Sequence, residues 1–279
     1  MVYENKLRRF ESGCLMHGTP CERSDMSRRP GLYRHHSVAQ RLSIKGFQAF
    51  SPDRPIISEP DFVKFPAMTN KLYFTTDDLS GRCIVTSSHF DETAGLWRTR
   101  LESTLFHPQG GGQAGDAGTI AGIRVVKTVF DKNGDIVHLT EGEVPPGEAD
   151  AAVDAQKRLM SSRLHTAGHL LAQAGSQHGW TAFKGDHREG ESRVVFHGPE
   201  GAASPVPAEW QPDLDRLIAD DMPLHAELRD GVRTVSWGFM KPVPCGGTHV
   251  RSTSQVGRCL ITKMKLRKGE LSVSYRLED

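Results

Sequence analysis

The chain has 279 residues, 37% of them hydrophobic, and sets 35 Lys and Arg against 34 Asp and Glu. One or two ordinary cores fit that length, and no apolar run reaches the eighteen or so residues of a membrane-spanning helix, so no membrane partner is expected. Near-neutrality means that any contact with a polyanion must come from local clusters of charge rather than from the total.

Five cysteines, at positions 14, 21, 83, 245 and 259, are scattered, and no apolar signal segment opens the chain. The expectation is a reduced cytoplasmic protein without a disulfide framework. Residues 1–67 are rich in Arg, Ser and Pro with little periodicity, and read as a disordered extension or as sequence upstream of a functional start at Met68. Arg8, Arg9, Arg23, Arg28 and Arg29 suit a transit peptide, but Glu4, Glu11, Glu22 and Asp25 do not. Cys14, His17 and Cys21 would supply three metal donors in a segment that shows no core.

From Lys71-Leu72-Tyr73-Phe74 onward the pattern becomes strand-like. Short strands are expected over 82–86, 96–101, 119–130 and 136–140, broken by Gly, Asp and Pro, which suggests a small β-barrel over residues 68–150. Gly110, Gly112 and Gly115 satisfy a Gly-x-Gly-x-x-Gly spacing. A dinucleotide-binding turn would have to open a helix, whereas a β-branched run and then Asp131-Lys132-Asn133-Gly134 follow, so that reading fails. Pro145-Pro146-Gly147-Glu148 reads as a linker or turn.

Leu159, Leu164, Ala167, Leu170, Leu171 and Ala174 fall near helical spacing, so His165 and His169 lie one turn apart on one face. A second helix is expected over 209–220. After Pro242 and Pro244, Cys245-Gly246-Gly247-Thr248-His249 suits a tight turn that approaches a metal closely. Two pairs of Cys and His donors read together as a zinc site. The plainer alternative is two half-buried histidines and an unrelated buried cysteine. A peptidase of the His-Glu-x-x-His type is excluded by Thr166, and a zinc deaminase by the lack of His-x-Glu and Cys-x-x-Cys. Near the end, Lys263, Lys265, Arg267 and Lys268 precede a final strand over 272–277; alternation puts the first three on one strand face, a solvated edge or a phosphate-tracking stripe.

These motifs resemble a known family. His165-Thr166-Ala167-Gly168-His169-Leu170-Leu171, followed by Pro244-Cys245-Gly246-Gly247-Thr248-His249-Val250, is similar to the editing domain of alanyl-tRNA synthetases and to the free-standing alanyl-tRNA editing proteins of the AlaX type. The segment from Thr104 to Asp116, with Gly110-Gly111-Gly112-Gln113, resembles the glycine-rich segment of the longer AlaX proteins, with His107 where Tyr is usual and Ala114 where Pro is common. The likeness runs from about Lys71 to Leu277.

The resemblance implies an α+β protein: the small barrel, then a two-layer domain over 151–279 with helices on an antiparallel sheet, carrying one Zn2+ on His165, His169, Cys245 and His249. It implies hydrolysis of the ester of mischarged Ser-tRNA(Ala), with Gly-tRNA(Ala) as a second candidate and Ala-tRNA(Ala) spared, by a monomer or weak homo-oligomer. Gly110, Gly111, Gly112 and Gln113 would then contact the tRNA acceptor end. In the synthetase domain a Gln-Lys-Gly-Ser loop follows the metal helix; here Phe183-Lys184-Gly185-Asp186 stands in its place, which leaves Thr181, Lys184 or Asp186 to read the serine hydroxyl. Lys263, Lys265, Arg267 and Lys268 would face phosphates.

Four protein ligands make a closed, structural zinc pattern, whereas catalysis through the ion needs an open position. Either a ligand yields to water, whose pKa then falls from about 15.7 toward about 7, or the ion organises a pocket in which neighbouring groups hold the water. On this count His249 is either the fourth ligand or a proton-handling group. A tRNA-binding module with structural zinc, and a deacylase for another mischarged tRNA such as a threonyl-system substrate, are the alternatives.

Overall fold

A computed structural model describes residues 68–278, and the expectations for residues 1–67, including Cys14, His17 and Cys21, lie outside it. The described chain opens with β1 (Asn70–Lys71) and a 3₁₀ turn over Leu72–Phe74, not the strand expected there. The amides of Thr75 and Thr76 both reach the Leu72 carbonyl, at 2.9 and 3.0 Å, which closes a turn.

Then come β2 (Ser80–Asp91), β3 (Leu96–Leu101), β4 (Ser103–Thr104), β5 (Gly118–Ile120), β6 (Ile123–Phe130), β7 (Ile136–Thr140) and β8 (Gly147–Val153). β4 pairs in parallel with β1, and the other six close a barrel in the order β2-β3-β7-β6-β5-β8. Alternation sends Val85, Leu101, Ile120, Val125 and Val153 inward, around the fully buried Phe106. Two expectations are corrected here. The run 119–130 is a hairpin, since Ala121 and Gly122 take φ of 51° and 76° and pair Ile120 with Ile123. The supposed linker at Gly147-Glu148 begins β8, which closes the barrel by pairing with both β2 and β5.

Asp154 caps α1 (Ala155–Gln177) by accepting the Lys157 amide at 3.1 Å. After it come β9 (Thr181–Asp186), β10 (Arg193–His197), α2 (Pro207–Ala219), β11 (Leu224–Arg229), β12 (Val232–Trp237), β13 (Val243–Pro244), β14 (Arg258–Arg267) and β15 (Glu270–Glu278). An antiparallel sheet in the order β14-β15-β10-β9 carries both helices, and β11-β12-β13 form a separate three-stranded sheet. Leu164, Leu170, Leu171, Phe196, Trp210 and Leu271 meet in the core between helices and sheet. The segment expected as a loop at 183–186 is the edge strand β9, paired to β10 with a bulge.

The barrel is tied to α1 by a buried ion pair. Arg158 Nε donates to both Asp116 oxygens, at 3.2 and 3.0 Å, while its Nη2 donates to Asp116 and, at 2.6 Å, to the Leu105 carbonyl. Asp116 also accepts the His107 amide at 2.6 Å, which fixes the start of the glycine-rich segment. No helix among the described residues is long and apolar enough to cross a membrane.

Candidate active site

Helical spacing puts His165 and His169 on one face of α1, and the turn after β13 brings Cys245 and His249 against it. All four are buried, and one donor atom from each lies within 4.8 Å of all the others. Cys245 Sγ is 3.6 Å from His165 Nε2 and 3.3 Å from His249 Nε2. A tetrahedral zinc with sulfur at about 2.3 Å and nitrogen at about 2.0–2.1 Å sets sulfur and nitrogen roughly 3.5 Å apart, so Cys245 stands from His165 and His249 at the spacing of such a cage. His169 Nε2 is buried with no hydrogen-bond partner, as an empty-handed ligand atom would be. The residues fit a metal ion.

The outer atoms fix the rings. Gln113 Oε1 accepts from His165 Nδ1 at 2.8 Å and from the Thr248 amide at 2.9 Å, while its Nε2 donates to Thr248 Oγ1 at 2.8 Å. A protonated Nδ1 leaves the His165 Nε2 lone pair for a metal. Thr248 Oγ1 also meets Ser162 Oγ at 2.8 Å, and Thr166 Oγ1 lies 3.3 Å from His249 Nδ1. Arg233 Nη1 donates to the carbonyls of Cys245 and Gly247, at 3.0 and 2.9 Å, and so clamps the turn. At Gly247 a side chain is impossible without movement: a Cβ would lie 2.1 Å from the His165 ring.

Burial, and after it the positive charge of neighbouring histidines, holds His165 and His249 well below the usual imidazole range; burial lowers His169 to about 3. Neutral imidazoles are the ligand form. Burial pushes the Cys245 thiol up, opposed by the Gly247 amide and the Arg233 charge. A bound cation deprotonates such a thiol.

A cleft of ≈ 350 Å³ opens over His169. Gly168, His169 and Trp237 line its floor, Gln173 of α1 and residues 182–185 of β9 one side, and Phe239, Met240 and Lys241 the other. A second cleft of ≈ 250 Å³ lies on the side of His165 and Cys245, against Lys71, Phe74, His107, Gly110 and Gly111.

Not all of the expected site residues converge. Lys184 lines the first cleft, and Gly110 and Gly111 line the second. Gly112, at φ 80°, packs its backbone on Gly185, where a Cβ would lie 2.5 Å from the Gly185 carbonyl oxygen. Gln113 is fully buried beneath His165. Thr181 is exposed at the start of β9 and lines neither cleft. Asp186 faces neither cleft: both its oxygens accept from Arg188, at 3.0 and 2.6 Å, and that guanidinium holds its carboxyl below the usual range. Lys263, Lys265 and Arg267 are exposed on β14, the sheet edge opposite β9, about 14 Å away at three strand spacings, and Lys268 sits in the turn beyond them.

Several neighbours were not singled out from sequence. The His187 ring stacks on His165 at 4.5 Å and meets Tyr275 Oη at 2.6 Å, and that hydroxyl donates to the Leu164 carbonyl at 2.9 Å. Trp237 lies 5.3 Å from His169 and 5.1 Å from His249, its indole N–H buried without a partner. Gln173 had a signal, since it follows His169 by four residues. For His187 and Trp237 no local pattern exists.

Residues 232–272 match the family described as the threonyl and alanyl tRNA synthetase second additional domain. The chain is 29% identical over 189 residues to the alanyl-tRNA editing protein AlaX-L of Pyrococcus horikoshii, which covers 56% of this chain and 45% of that protein. It is 31% identical over 209 residues to an alanine–tRNA ligase of Korarchaeum cryptofilum, covering 63% of this chain and 23% of the ligase. With a ligase of Nocardioides sp. it shares 30% identity over 216 residues, 65% of this chain and 24% of the ligase. The chain thus spans under half the length of the editing protein and about a quarter of each ligase. The resemblance drawn from the three motifs is borne out.

Proposed function

We propose, on the premise of that kinship with alanyl-tRNA editing proteins, that the protein is a trans-editing deacylase. It hydrolyses the ester of Ser-tRNA(Ala), and as a second substrate Gly-tRNA(Ala), and spares Ala-tRNA(Ala). A synthetase pocket for alanine rejects an isostere with one added hydroxyl by only about 10²-fold, so a separate hydrolytic site is needed. The observation that carries this reading is the convergence of His165, His169, Cys245 and His249 into one buried donor cluster, of which His169 lines the floor of a cleft.

Three imidazoles and a thiolate favour Zn2+ over harder cations, one ion per chain. When bound, zinc would supply Lewis acidity, acidifying water toward a pKa of about 7 if one of the four ligands yields its position, and otherwise would hold the pocket's shape. Gln113 and Thr166 orient the His165 and His249 rings, and Arg233 holds the Cys245 turn. Of the three side chains expected to read the serine hydroxyl only Lys184 lines the cleft, and it is exposed there; Gln173 and Ser236 are the half-buried polar groups of its lining placed to read that hydroxyl. Such a reader favours serine because alanine leaves it unpaired.

The test is deacylation of Ser-tRNA(Ala) and Ala-tRNA(Ala), before and after zinc removal, with Cys245→Ala as control. Rapid, zinc-dependent loss of serine with alanine retained supports the reading. No hydrolysis by zinc-loaded protein would turn the assignment to a tRNA-binding module. Because the matched domain is shared with threonyl enzymes, Ser-tRNA(Thr) belongs in the panel; preference for it would move the substrate to that system.

A further inference from the structure

The cleft over His169 has one wall that the chemistry at its floor does not use. Phe239 is 65% exposed, the largest exposure among the bulky apolar side chains described. Its turn is nonetheless fixed. The Met240 amide donates to the Trp237 carbonyl at 2.9 Å, and Gly238, at φ 50°, lies so close to Met222 that a Cβ would be 2.5 Å from the sulfur. Phe239 therefore stands at the cleft mouth two residues from Trp237, which packs against both His169 and His249. Lys241 follows it on the same side of the cleft and Lys184 lines the facing side, both exposed and neither in an ion pair among the described residues.

An exposed aromatic on a fixed turn, in a cleft that also carries two unpaired cations, is how proteins hold single-stranded nucleic acid: bases stack on the ring and the cations meet phosphates. The ester of an aminoacyl-tRNA sits on the ribose of an unpaired 3′-terminal adenosine, so base, ribose and ester must enter together. A cleft of ≈ 350 Å³ is of ligand-pocket size. The second cleft is the poorer candidate, because Lys71 Nζ already covers the rings of Phe74 and Phe130, at 5.5 Å from each. The basic edge of β14 lies across the sheet from β9.

We propose that Phe239 is the stacking platform for the terminal adenine, with Lys184 and Lys241 contacting the phosphates that precede it, so that the ester is presented to the His169 side of the donor cluster. This rests on the deacylase reading above for its substrate, but the seat itself can be tested without turnover.

Two measurements separate the claims. The first is steady-state deacylation of Ser-tRNA(Ala) by wild type, Phe239→Ala and Phe239→Trp. Loss of one stacked base should raise KM about tenfold in Phe239→Ala with kcat nearly unchanged, and Phe239→Trp should restore it. In Lys184→Ala/Lys241→Ala, KM should depend less steeply on salt. The second is binding of an uncharged acceptor-stem RNA hairpin ending in adenosine, against the same hairpin ending in an abasic ribose. Wild type should prefer the adenosine end about tenfold, and Phe239→Ala should not distinguish the two. Hydrolysis with an unchanged KM in Phe239→Ala would leave the deacylase standing and overturn the seat, as would equal binding of both hairpins by wild type. If no aminoacyl-tRNA is hydrolysed, the deacylase reading falls, and an adenosine preference lost in Phe239→Ala still supports the seat.

Discussion

Gln113 Oε1 accepts a hydrogen bond from His165 Nδ1 at 2.8 Å, although 52 positions separate the two residues. The same oxygen takes the Thr248 amide, so one carboxamide couples the glycine-rich segment, the helix and the Cys245 turn. Gln113→Ala should therefore lower zinc affinity about 10- to 100-fold, as loss of outer partners of metal-bound histidines does, without unfolding the chain. Competition with a chromophoric chelator measures this, and an unchanged affinity would remove Gln113 from the site.

Gly247 makes a sharper case. A methyl group there would sit 2.1 Å from the His165 ring and 2.7 Å from Gln113 Oε1, whereas at neighbouring Gly246 the nearest atom is 3.8 Å away. Gly247→Ala should lose most of its bound zinc, while Gly246→Ala keeps close to one ion per chain. Elemental analysis of the two purified variants decides it.

The Arg158–Asp116 pair is buried on both sides and joins α1 to the barrel. Removing one partner of a buried pair strands the other charge, so Arg158→Leu should cost about 3–5 kcal/mol in chemical denaturation. The double variant Arg158→Leu/Asp116→Leu should recover much of that loss. It should not recover all of it, because Asp116 also accepts the His107 amide.

His138 predicts an acid dependence unrelated to metal. It is fully buried in the barrel, 2.8 Å from Thr104 Oγ1 and 3.2 Å from the Thr99 carbonyl, and burial lowers it from 6.5 to about 4. The folded state thus binds the proton less readily than the unfolded chain. Its stabilisation is complete above pH 6.5 and is lost as pH falls toward 4, by at most about 3 kcal/mol. His138→Gln should flatten the stability profile in that window. His107, which burial also lowers to about 4, leaves a residual slope.

Much of this was legible in the sequence because it is local. Four-residue spacing puts His165 and His169 on one face of a helix whatever surrounds it, and breaks at Gly, Asp and Pro marked short strands at 96–101 and 136–140. Donor chemistry pointed from Cys245 and His249 to the same ion. The misses have equally local causes. Ala121-Gly122 is a weak hairpin signal beside Asn-Gly, so two strands read as one. Phe183-Lys184-Gly185-Asp186 carries the composition of a loop, but pairing with β10 makes it a strand.

The sequence by itself determined which atoms could meet a metal, the helix that presents two of them, and the kinship that the motifs announced. Tertiary structure alone decided that Gln113 lies under His165, that His187 and Trp237 pack against the donor rings, that Asp186 is engaged by Arg188, and that Lys184 faces the cleft while the β14 lysines do not. The reason is separation along the chain. Periodicity constrains residues a few positions apart, whereas contacts across 52 or 135 positions exist only once the barrel, helix and sheet have packed and their burial has fixed which groups face one another.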